Sequence, residues 1–480
     1  MNSTDTIDST TARVDAVIAA TLGLAPERIT DDLGYQLVRE WDSLGHVTLM
    51  VALERELGLT IEDEQLLALR SVAAIRQFAR GGADPATGVA APADPATPAT
   101  PATPATTVHR GLEGITFDHT AITRIDGTAG TLEYRGYDIH DLAEQASFEQ
   151  VAYLLVHGEL PDAGELALFE KELRHHRELP TEVLALARSL AHAHPVDALR
   201  TCVSALGAFG EARSGSVDES YEEARDRGIA LIARIPMLVA AHHAYRSGRE
   251  VVRPAEDAGY ARAFLTVLLG EEPSPAAVRF INKGLIVHAD HSSNASAFTA
   301  RIAIGCRAGM TAALTAAISA FAGSVHGGAA ERVVGLIDQV GEPGNAERYV
   351  AELQGRNEPV MGFGHRVYRT EDPRVRQLRA TVVELSRERE DSRGLAILDA
   401  VAAAMVPYSR HGVAPNVDLY AGLAYRLLGL PDDLAVAMFV VGRTAGWVAQ
   451  ALEQQSNNVL IRPLLEYVGP RGRVLPEESR

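Results

Sequence analysis

Several short segments of this chain combine residue types that could carry chemistry. They are His288-Ala289-Asp290-His291, Val325-His326-Gly327-Gly328-Ala329, Met361-Gly362-Phe363-Gly364-His365, Asp372-Pro373-Arg374, Pro415-Asn416-Val417-Asp418, Arg443-Thr444-Ala445-Gly446-Trp447 and Ile461-Arg462-Pro463. A carboxylate can take a proton from carbon. Imidazoles can hydrogen-bond an oxygen that gains charge as bonds rearrange. Guanidinium groups hold carboxylates, best in bidentate pairs. Such a set needs no metal. Each segment also has a plainer reading by itself. His288 and His291 could share a helical face as metal ligands, although no third ligand motif stands near them. His326 before two glycines could mark a helix stop, and Asp418 could be an N-cap. Gly362-x-Gly364 is a weak phosphate-loop signal, and the three arginines could form surface ion pairs. Far upstream, Trp41-Asp42-Ser43-Leu44-Gly45-His46 places Ser43 at the head of a run in which Val47, Met50, Leu53 and Leu57 share one face. An N-cap is the plain reading there too.

The elements that must position these residues are mostly helical. With 480 residues the chain exceeds one ordinary core, so two or three domains are expected. Residues 1–80 form a compact helical pattern. Residues 81–108 are almost entirely Ala, Pro, Thr, Gly and Asp, with four consecutive Pro-Ala-Thr units from Pro95 to Thr106. Such a tract has little to bury and reads as a linker. It would reach roughly 80 Å extended and average roughly 30 Å as a coil. From residue 109 to residue 480, stretches such as Glu182–Ala193, Ala261–Leu269, Gly309–Ala320 and Leu434–Gln454 are apolar at helical spacing and should be buried. Period-two alternation predicts only a short hairpin, Gly114–Thr123 with Thr131–Tyr134, around Asp126-Gly127.

A formal charge of −18 argues against nucleic acid as a partner. No uninterrupted apolar run reaches a membrane span of about 18 residues. The polar, acidic N-terminus is unlike a signal peptide. The two cysteines, Cys202 and Cys306, lie in apolar helical surroundings and read as buried, inert thiols of a cytoplasmic protein.

Two resemblances add to this reading. Residues 13–79, including Leu44, Glu54-Arg55-Glu56-Leu57-Gly58 and Ser71-Val72-Ala73-Ala74-Ile75, resemble an acyl carrier protein. The resemblance implies a covalent 4′-phosphopantetheine on Ser43, attached by a phosphopantetheinyl transferase. Residues 1–80 hold 13 acids and 7 basic residues, a net −6 suited to docking on basic patches. Residues 111–161, with Tyr134-Arg135-Gly136-Tyr137-Asp138 and His157-Gly158-Glu159-Leu160-Pro161, resemble the start of the short bacterial and archaeal citrate synthases, and the histidine, aspartate and arginine segments match that family in order and spacing.

That second resemblance implies an all-α fold and a homodimer. It divides the synthase-like unit, 109–480, into a large domain (109–330 and 431–480) and a small domain (331–430) that closes over the substrates. It also implies roles. Asp418 would abstract the α-proton of an acyl thioester, His326 would bond the enol, and His365 would protonate the ketone oxygen of oxaloacetate or a related 2-oxo acid. His288 and His291 would lie at that substrate, with His291 orienting the ketone. Arg374, Arg443 and, from a neighbouring subunit, Arg462 would hold its carboxylates. Met361, Gly362, Phe363 and Gly364 would lie beside acyl-CoA. Three departures sit close to the pockets: Ser292-Ser293 after the His-Ala-Asp-His segment, Ala330 where Asn is frequent, and Ala421 where Ser is common. The fused carrier implies that the acyl donor is held on Ser43. Ordinary citrate or 2-methylcitrate synthesis from free acetyl-CoA or propionyl-CoA is the alternative, and an inactive carrier or scaffold is a third reading.

Overall fold

A computed structural model describes residues 3–80 apart from 36–37, 39, 42, 62–64 and 66–67; residues 108–209 apart from 113; residues 218–409 apart from 357; and residues 412–473. The expected linker therefore lies almost wholly outside the described residues.

Two hydrophobic cores share no residue. The first is built by α1 (Ser3–Leu22), α2 (Ser43–Leu57) and α3 (Val72–Ala79). The face of α2 that turns inward carries Leu49, Met50 and Leu53, each fully buried beneath Trp41. The Trp41 indole N–H donates to His46 Nδ1 at 3.1 Å, which satisfies two polar groups inside this core. Gly45 is required by close approach, since a Cβ there would lie 2.4 Å from the Glu40 carbonyl oxygen. Arg76 on α3 ties the bundle together, pairing with Asp15 at 2.8 Å and Asp31 at 2.6 Å.

The second core runs from Ile122 to Leu452. It opens with an antiparallel sheet of β1 (Thr123–Asp126), β2 (Thr131–Tyr134) and β3 (Tyr137–Asp138), with Thr123 opposite Tyr134 and Glu133 opposite Asp138. The hairpin is where it was expected, but its first strand begins only at Thr123. Residues 114–122 are not strand, and Gly114 at φ 73° shows the departure from extended backbone.

Helices then follow in series. They are α4 (Ile139–Gln145), α5 (Phe148–His157), α6 (Ala163–His176), α7 (Thr181–Ser189), α8 (Pro195–Phe209), α9 (Tyr221–Arg246) and α10 (Tyr260–Leu269). After them come α11 (Pro275–His288), α12 (Ala295–Gly305), α13 (Met310–Phe321), α14 (Ala329–Val340), α15 (Ala346–Gly355), α16 (Arg374–Glu388), α17 (Arg393–Ser409), α18 (Asp418–Leu427) and α19 (Ala435–Ser456). Capping boxes set the starts of α5, α6 and α9, where Ser147, Asp162 and Ser220 each accept from the backbone three residues on.

α19 is the central element and packs on α9, α11, α12 and α13. By mean hydropathy and length, α9 and the segment Asp432–Ser456 could cross a membrane, which a search for uninterrupted apolar runs does not register. Within the fold those windows are 83% and 100% buried, so their apolar surface is satisfied by protein. Cys202 is buried and its thiol pKa is pushed up to about 11 by that burial, whereas Cys306, at the end of α12, is exposed. The expectation of two buried thiols therefore fails for Cys306. Helical periodicity ran past the helix end, where the chain turns outward.

Close contact between α19 and the segment after α11 depends on Gly446. A Cβ there would sit 2.1 Å from the Ala289 carbonyl oxygen and 2.6 Å from Asp290 Oδ1. Gly446→Ala should therefore lower stability by about 1–3 kcal/mol, read as a reduced thermal midpoint of the synthase core.

Candidate active site

Backbone pairing gathers the site. The loop Met361–Tyr368 runs against the segment Ala414–Asn416. Gly364 N–H donates to Ala414 O at 2.8 Å, Asn416 N–H to Gly362 O at 2.9 Å, and Asn416 Nδ2 to Gly364 O at 3.0 Å. Gly362 and Gly364 have φ of 84° and 82°, a conformation that suits glycine, and a Cβ on Gly362 would strike Leu419 at 2.8 Å. His365 follows one strand of this pairing directly. Asp418 follows the other, opening α18 with its backbone N–H on Asn416 Oδ1 at 3.1 Å. Residues 52 apart in sequence are thus fixed side by side.

His365 Nδ1 accepts the backbone N–H groups of Val367 (3.0 Å) and Tyr368 (3.1 Å). Two donors on Nδ1 leave the ring proton on Nε2, so the free edge of this imidazole is a donor. The His365 ring centroid lies 5.1 Å from that of His291, whose Nε2 is 3.2 Å from the buried Tyr368 hydroxyl. His326 sits in the turn before α14 with its ring 4.7 Å from Phe321, and its Nε2 lies 2.9 Å from Ser296 Oγ. Ser296 is fully buried. It also receives the Trp447 indole N–H at 3.1 Å and lies 2.7 Å from Asn294 Oδ1.

Two guanidinium groups, each 2% exposed, set the charge of the site. Arg374 is locked onto Asp372 by Nε–Oδ1 at 2.8 Å and Nη2–Oδ2 at 2.6 Å. Asp372 also accepts Val417 N–H at 3.2 Å, so this pair braces the loop beside Asp418. Arg443 on α19 donates from Nε to His288 O at 2.6 Å, and among the described residues no carboxylate comes within ion-pair distance of it. A buried cation without a paired anion is costly unless a ligand supplies one. Burial lowers the Arg443 pKa to about 10, opposed by Asp290, so the group is still charged at neutral pH.

The imidazoles are neutral by the same physics. Burial, then the field of Arg443, lowers His326 to about 4. Burial and Arg374 lower His365 to about 4, and burial with Arg374 and Arg443 takes His288 to about 3 and His291 well down. Asp418 moves the opposite way. It is half-buried, yet burial raises its carboxyl to about 6, against the pull of Arg374 and Arg443. Arg443 thus acts on His291, His326 and Asp418, and Arg374 on His291, His365 and Asp418.

Not every expected residue joins this group. His288 ends α11 with its ring on Phe439 (4.0 Å between centroids), whereas His291 lies beyond the helix. The two do not share a helical face, and among the described residues no three His, Cys, Asp or Glu side chains form a metal-ligand set. Arg374 is occupied by Asp372 rather than free. Arg462 is exposed on the extended segment after α19, and among the described residues no contact joins it to the site. The side chain of Ala330 lies outside the described residues. Ser292 takes φ 50° and donates its N–H to the buried Asp290 Oδ2 at 2.8 Å, while Ala421 is buried in α18.

The structure adds residues that motif reading did not single out: Ser296, Tyr368, Asn416 and Asp372 as the partner of Arg374. Asp372, two residues before Arg374, was open to inspection as a bidentate partner. Ser296 lies 30 residues from His326 and carried no local signal.

The N-terminal core presents Ser43 as the first residue of α2, a 15-residue helix. Helix N-termini favour anions through unpaired N–H groups and the helix dipole, which suits a phosphodiester at that residue.

Comparison with known proteins agrees. Residues 111–464 match the family described as "Citrate synthase, C-terminal domain", and residues 12–79 match "Phosphopantetheine attachment site". The chain belongs to the citrate synthase family. Its citrate synthase portion is 41% identical over 378 residues to citrate synthase 2 of Bacillus subtilis, covering 78% of this chain and 100% of that protein. It is 39% identical to 2-methylcitrate synthase 2 of Corynebacterium glutamicum, covering 78% and 98%. Among solved structures, citrate synthase from Pyrobaculum aerophilum superposes with a TM-score of 0.73 at 35% identity, covering 79% of this chain and 97% of that one. A ternary complex of the Thermoplasma acidophilum enzyme with carboxymethyl coenzyme A and oxaloacetate gives 0.73 at 28%, covering 78% and 100%. This citrate synthase body is thus a full-length match, and the phosphopantetheine-attachment segment is additional to it.

The hairpin turn before β2 holds the His365 loop in this citrate synthase fold. Arg369 N–H donates to Gly127 O at 2.8 Å, and a Cβ on Gly127 would lie 2.2 Å from Val367 O. Gly127→Ala should push that loop outward and lower kcat by about 10–100-fold. Steady-state kinetics beside an unchanged circular-dichroism spectrum would show it.

Proposed function

We propose that the chain condenses a short acyl thioester with oxaloacetate, as citrate and 2-methylcitrate synthases do, with acetyl-CoA or propionyl-CoA as donor. The observation that carries this reading is a buried base, Asp418, raised to about 6 and sharing the fields of Arg374 and Arg443 with neutral imidazoles. Asp418 takes a proton from the carbon beside the thioester carbonyl, and His326 hydrogen-bonds the enol oxygen so formed. The nucleophilic carbon attacks the ketone carbon of oxaloacetate. His365, with its proton on Nε2, gives that proton to the ketone oxygen as the carbon–carbon bond forms. His291 lines the oxaloacetate side, Arg443 meets a carboxylate with its unpaired charge, and Arg374, braced by Asp372, adds its field. Water then cleaves the carbon–sulfur bond and releases the CoA thiol. The loop Met361–Gly364 lies beside the coenzyme, and residues 331–430 close over the large unit to exclude water.

Assembly and setting belong to the same proposal. The segment after α19 leaves Leu464 85%, Leu465 99% and Val468 90% exposed, a stretch that a second subunit would cover. In such a homodimer Arg462 reaches the neighbouring site. Two unpaired cysteines suit a cytoplasmic enzyme.

A second reading rests on the attachment-site match at residues 12–79. In it a phosphopantetheinyl transferase modifies Ser43 and the donor is the acyl group held there. The two donors separate in one assay. The chain is modified and acyl-loaded on Ser43, freed of CoA and mixed with oxaloacetate. Product from free acyl-CoA alone supports the first reading, and acyl loss from Ser43 supports the second. A chain inert with every donor overturns both.

Asp418→Asn should reduce kcat by about 10³-fold or more while oxaloacetate still binds, measured by calorimetry. The pH profile has a fixed sign. Asp418 acts as its carboxylate, so kcat/KM should fall about tenfold per unit below pH about 6. His326 and His365, at about 4, stay neutral across that range. An acid limb centred near 4 instead would remove Asp418 from this role.

A further inference from the structure

Among the described residues, two buried carboxylate oxygens have no hydrogen-bond partner, Asp290 Oδ1 and Glu331 Oε1. Both belong to segments that carry or adjoin a site histidine. Asp290 is otherwise engaged, since its Oδ2 accepts from Thr123, Ser292 and Gln450. Glu331 is held differently. Its Oε1 lies 3.3 Å from His194 Nε2, an ion-pair contact not aligned as a hydrogen bond. Every other ion pair among the described residues uses a guanidinium group. A buried carboxylate oxygen left without a hydrogen bond is costly, so its place in the fold calls for a reason.

Glu331 stands in the first turn of α14, shortly after His326. The turn between them is gripped on its upstream side. His326 N–H donates to Gly323 O at 3.0 Å and Gly327 N–H to Phe321 O at 2.9 Å. A Cβ on Gly327 would strike the Phe321 ring. Downstream, α14 has no side-chain N-cap, and Glu331 joins its first turn to His194. His194 is itself fixed. It directly precedes α8, and its carbonyl accepts from Asp197 and Ala198 at 3.0 Å each. Asp433, just before α19, lies within the field of both Glu331 and His194, yet Arg246 holds it at two points. His194 is thus left to Glu331. Burial raises the Glu331 carboxyl, and His194 is the group that most opposes this rise.

We propose that Glu331 and His194 are positioning residues for His326: their contact anchors the first turn of α14 on the start of α8 and so sets where the His326 ring stands in the cleft. This rests on the reading above in which His326 hydrogen-bonds the enol oxygen. Ser296 fixes the ring through Nε2. Glu331 and His194 fix the backbone from which the ring projects. A hydrogen-bonding group displaced by about 1 Å can cost a reaction about 10²-fold, even when the displacement originates far from the reacting atoms.

The test is a set of variants of the full-length chain, assayed with acetyl-CoA or propionyl-CoA and oxaloacetate. Glu331→Ala should lower kcat about tenfold or more, while oxaloacetate binding by calorimetry stays within about twofold, because His291 and Arg443 are untouched. His194→Ala should do the same, and the double variant should lose no more than either single one, as expected for a coupled pair. His194→Gln, whose amide nitrogen reaches the place of Nε2, should restore most of the lost kcat. Should Glu331→Ala fail to fold, Glu331→Gln, which keeps the volume and removes the charge, takes its place in the same comparison.

A second background separates positioning from mere stability. With His326→Ala already in place, adding Glu331→Ala should cost kcat nothing further, because the group it positions is gone. A further loss of about tenfold in that background is the mark of a purely structural residue and overturns the proposal. A kcat within about twofold of wild type in both Glu331→Ala and His194→Ala, beside a crippled His326→Ala, refutes the positioning pair alone. If His326→Ala itself keeps the wild-type kcat, the reading of His326 as the enol's partner fails, whatever the other variants do.

Discussion

Arg374 and Arg443 are almost entirely removed from water, and the structure compensates the two guanidinium groups differently. Arg374 has a dedicated carboxylate, Asp372, gripping it at two points. Arg443 has one backbone carbonyl and a distant buried acid, Asp290. Removing one partner of a buried pair leaves an uncompensated charge and is strongly destabilising, so Asp372 is structural before it is anything else. The deficit at Arg443 is useful, because an anion entering the cleft recovers Coulomb energy that the empty fold lacks. Burial, reinforced by the same positive field, keeps four neighbouring imidazoles neutral, and that field opposes the rise that burial imposes on Asp418. A neutral imidazole can donate one proton in a hydrogen bond without carrying charge, and a carboxylate near pH 6 is a base without being inert. One electrostatic arrangement therefore sets both properties.

Position is set by backbone. The antiparallel contact of Gly362–Gly364 with Ala414–Asn416 places His365 and Asp418 at the ends of two facing segments, and two left-handed glycines allow the turn. Side chains then fix tautomers. Backbone N–H groups on Nδ1 decide which nitrogen of His365 holds the proton. Ser296, packed under Trp447, holds the far nitrogen of His326. If His326 donates through Nδ1, its Nε2 must accept the Ser296 proton. Asn294 Oδ1, 2.7 Å from the same hydroxyl, competes for it. The His326 imidazole is thus governed by a serine with two acceptors within reach.

Much of this was legible in the sequence. Of the apolar stretches read as buried helices, α10, α13 and α19 are so, with ends displaced by a few residues because periodicity reports the buried face and not the cap, whereas α7 lies at the surface and buries only Val183 and Ala187. The segments around His291, His326, His365 and Asp418 do come together. What stayed hidden was non-local. Ser296 sits in an ordinary helix-opening sequence, and only the approach of the His326 turn gives it meaning. Gly127 reads as a hairpin glycine, yet its constraint is the Val367 carbonyl 240 residues away. The reading of His288 and His291 as helix-mates failed because α11 ends at His288. Arg462, grouped with the site by its segment, stands exposed after α19 with no contact to the site among the described residues.

If Ser43 bears the donor, fusion changes the kinetics of the encounter and not the chemistry. Citrate synthase 2 of Bacillus subtilis is matched over its whole length by 78% of this chain, so residues 1–80 are additional to that relative. A donor covalently tethered to its enzyme is presented at an effective concentration of about mM, whatever the free pool contains. Fusion would then matter most where the free donor is scarce, or where an acyl group must reach this site before competing enzymes hydrolyse it. The described chain resumes at Val108, and at Gly111 it runs beside Arg366 of the His365 loop.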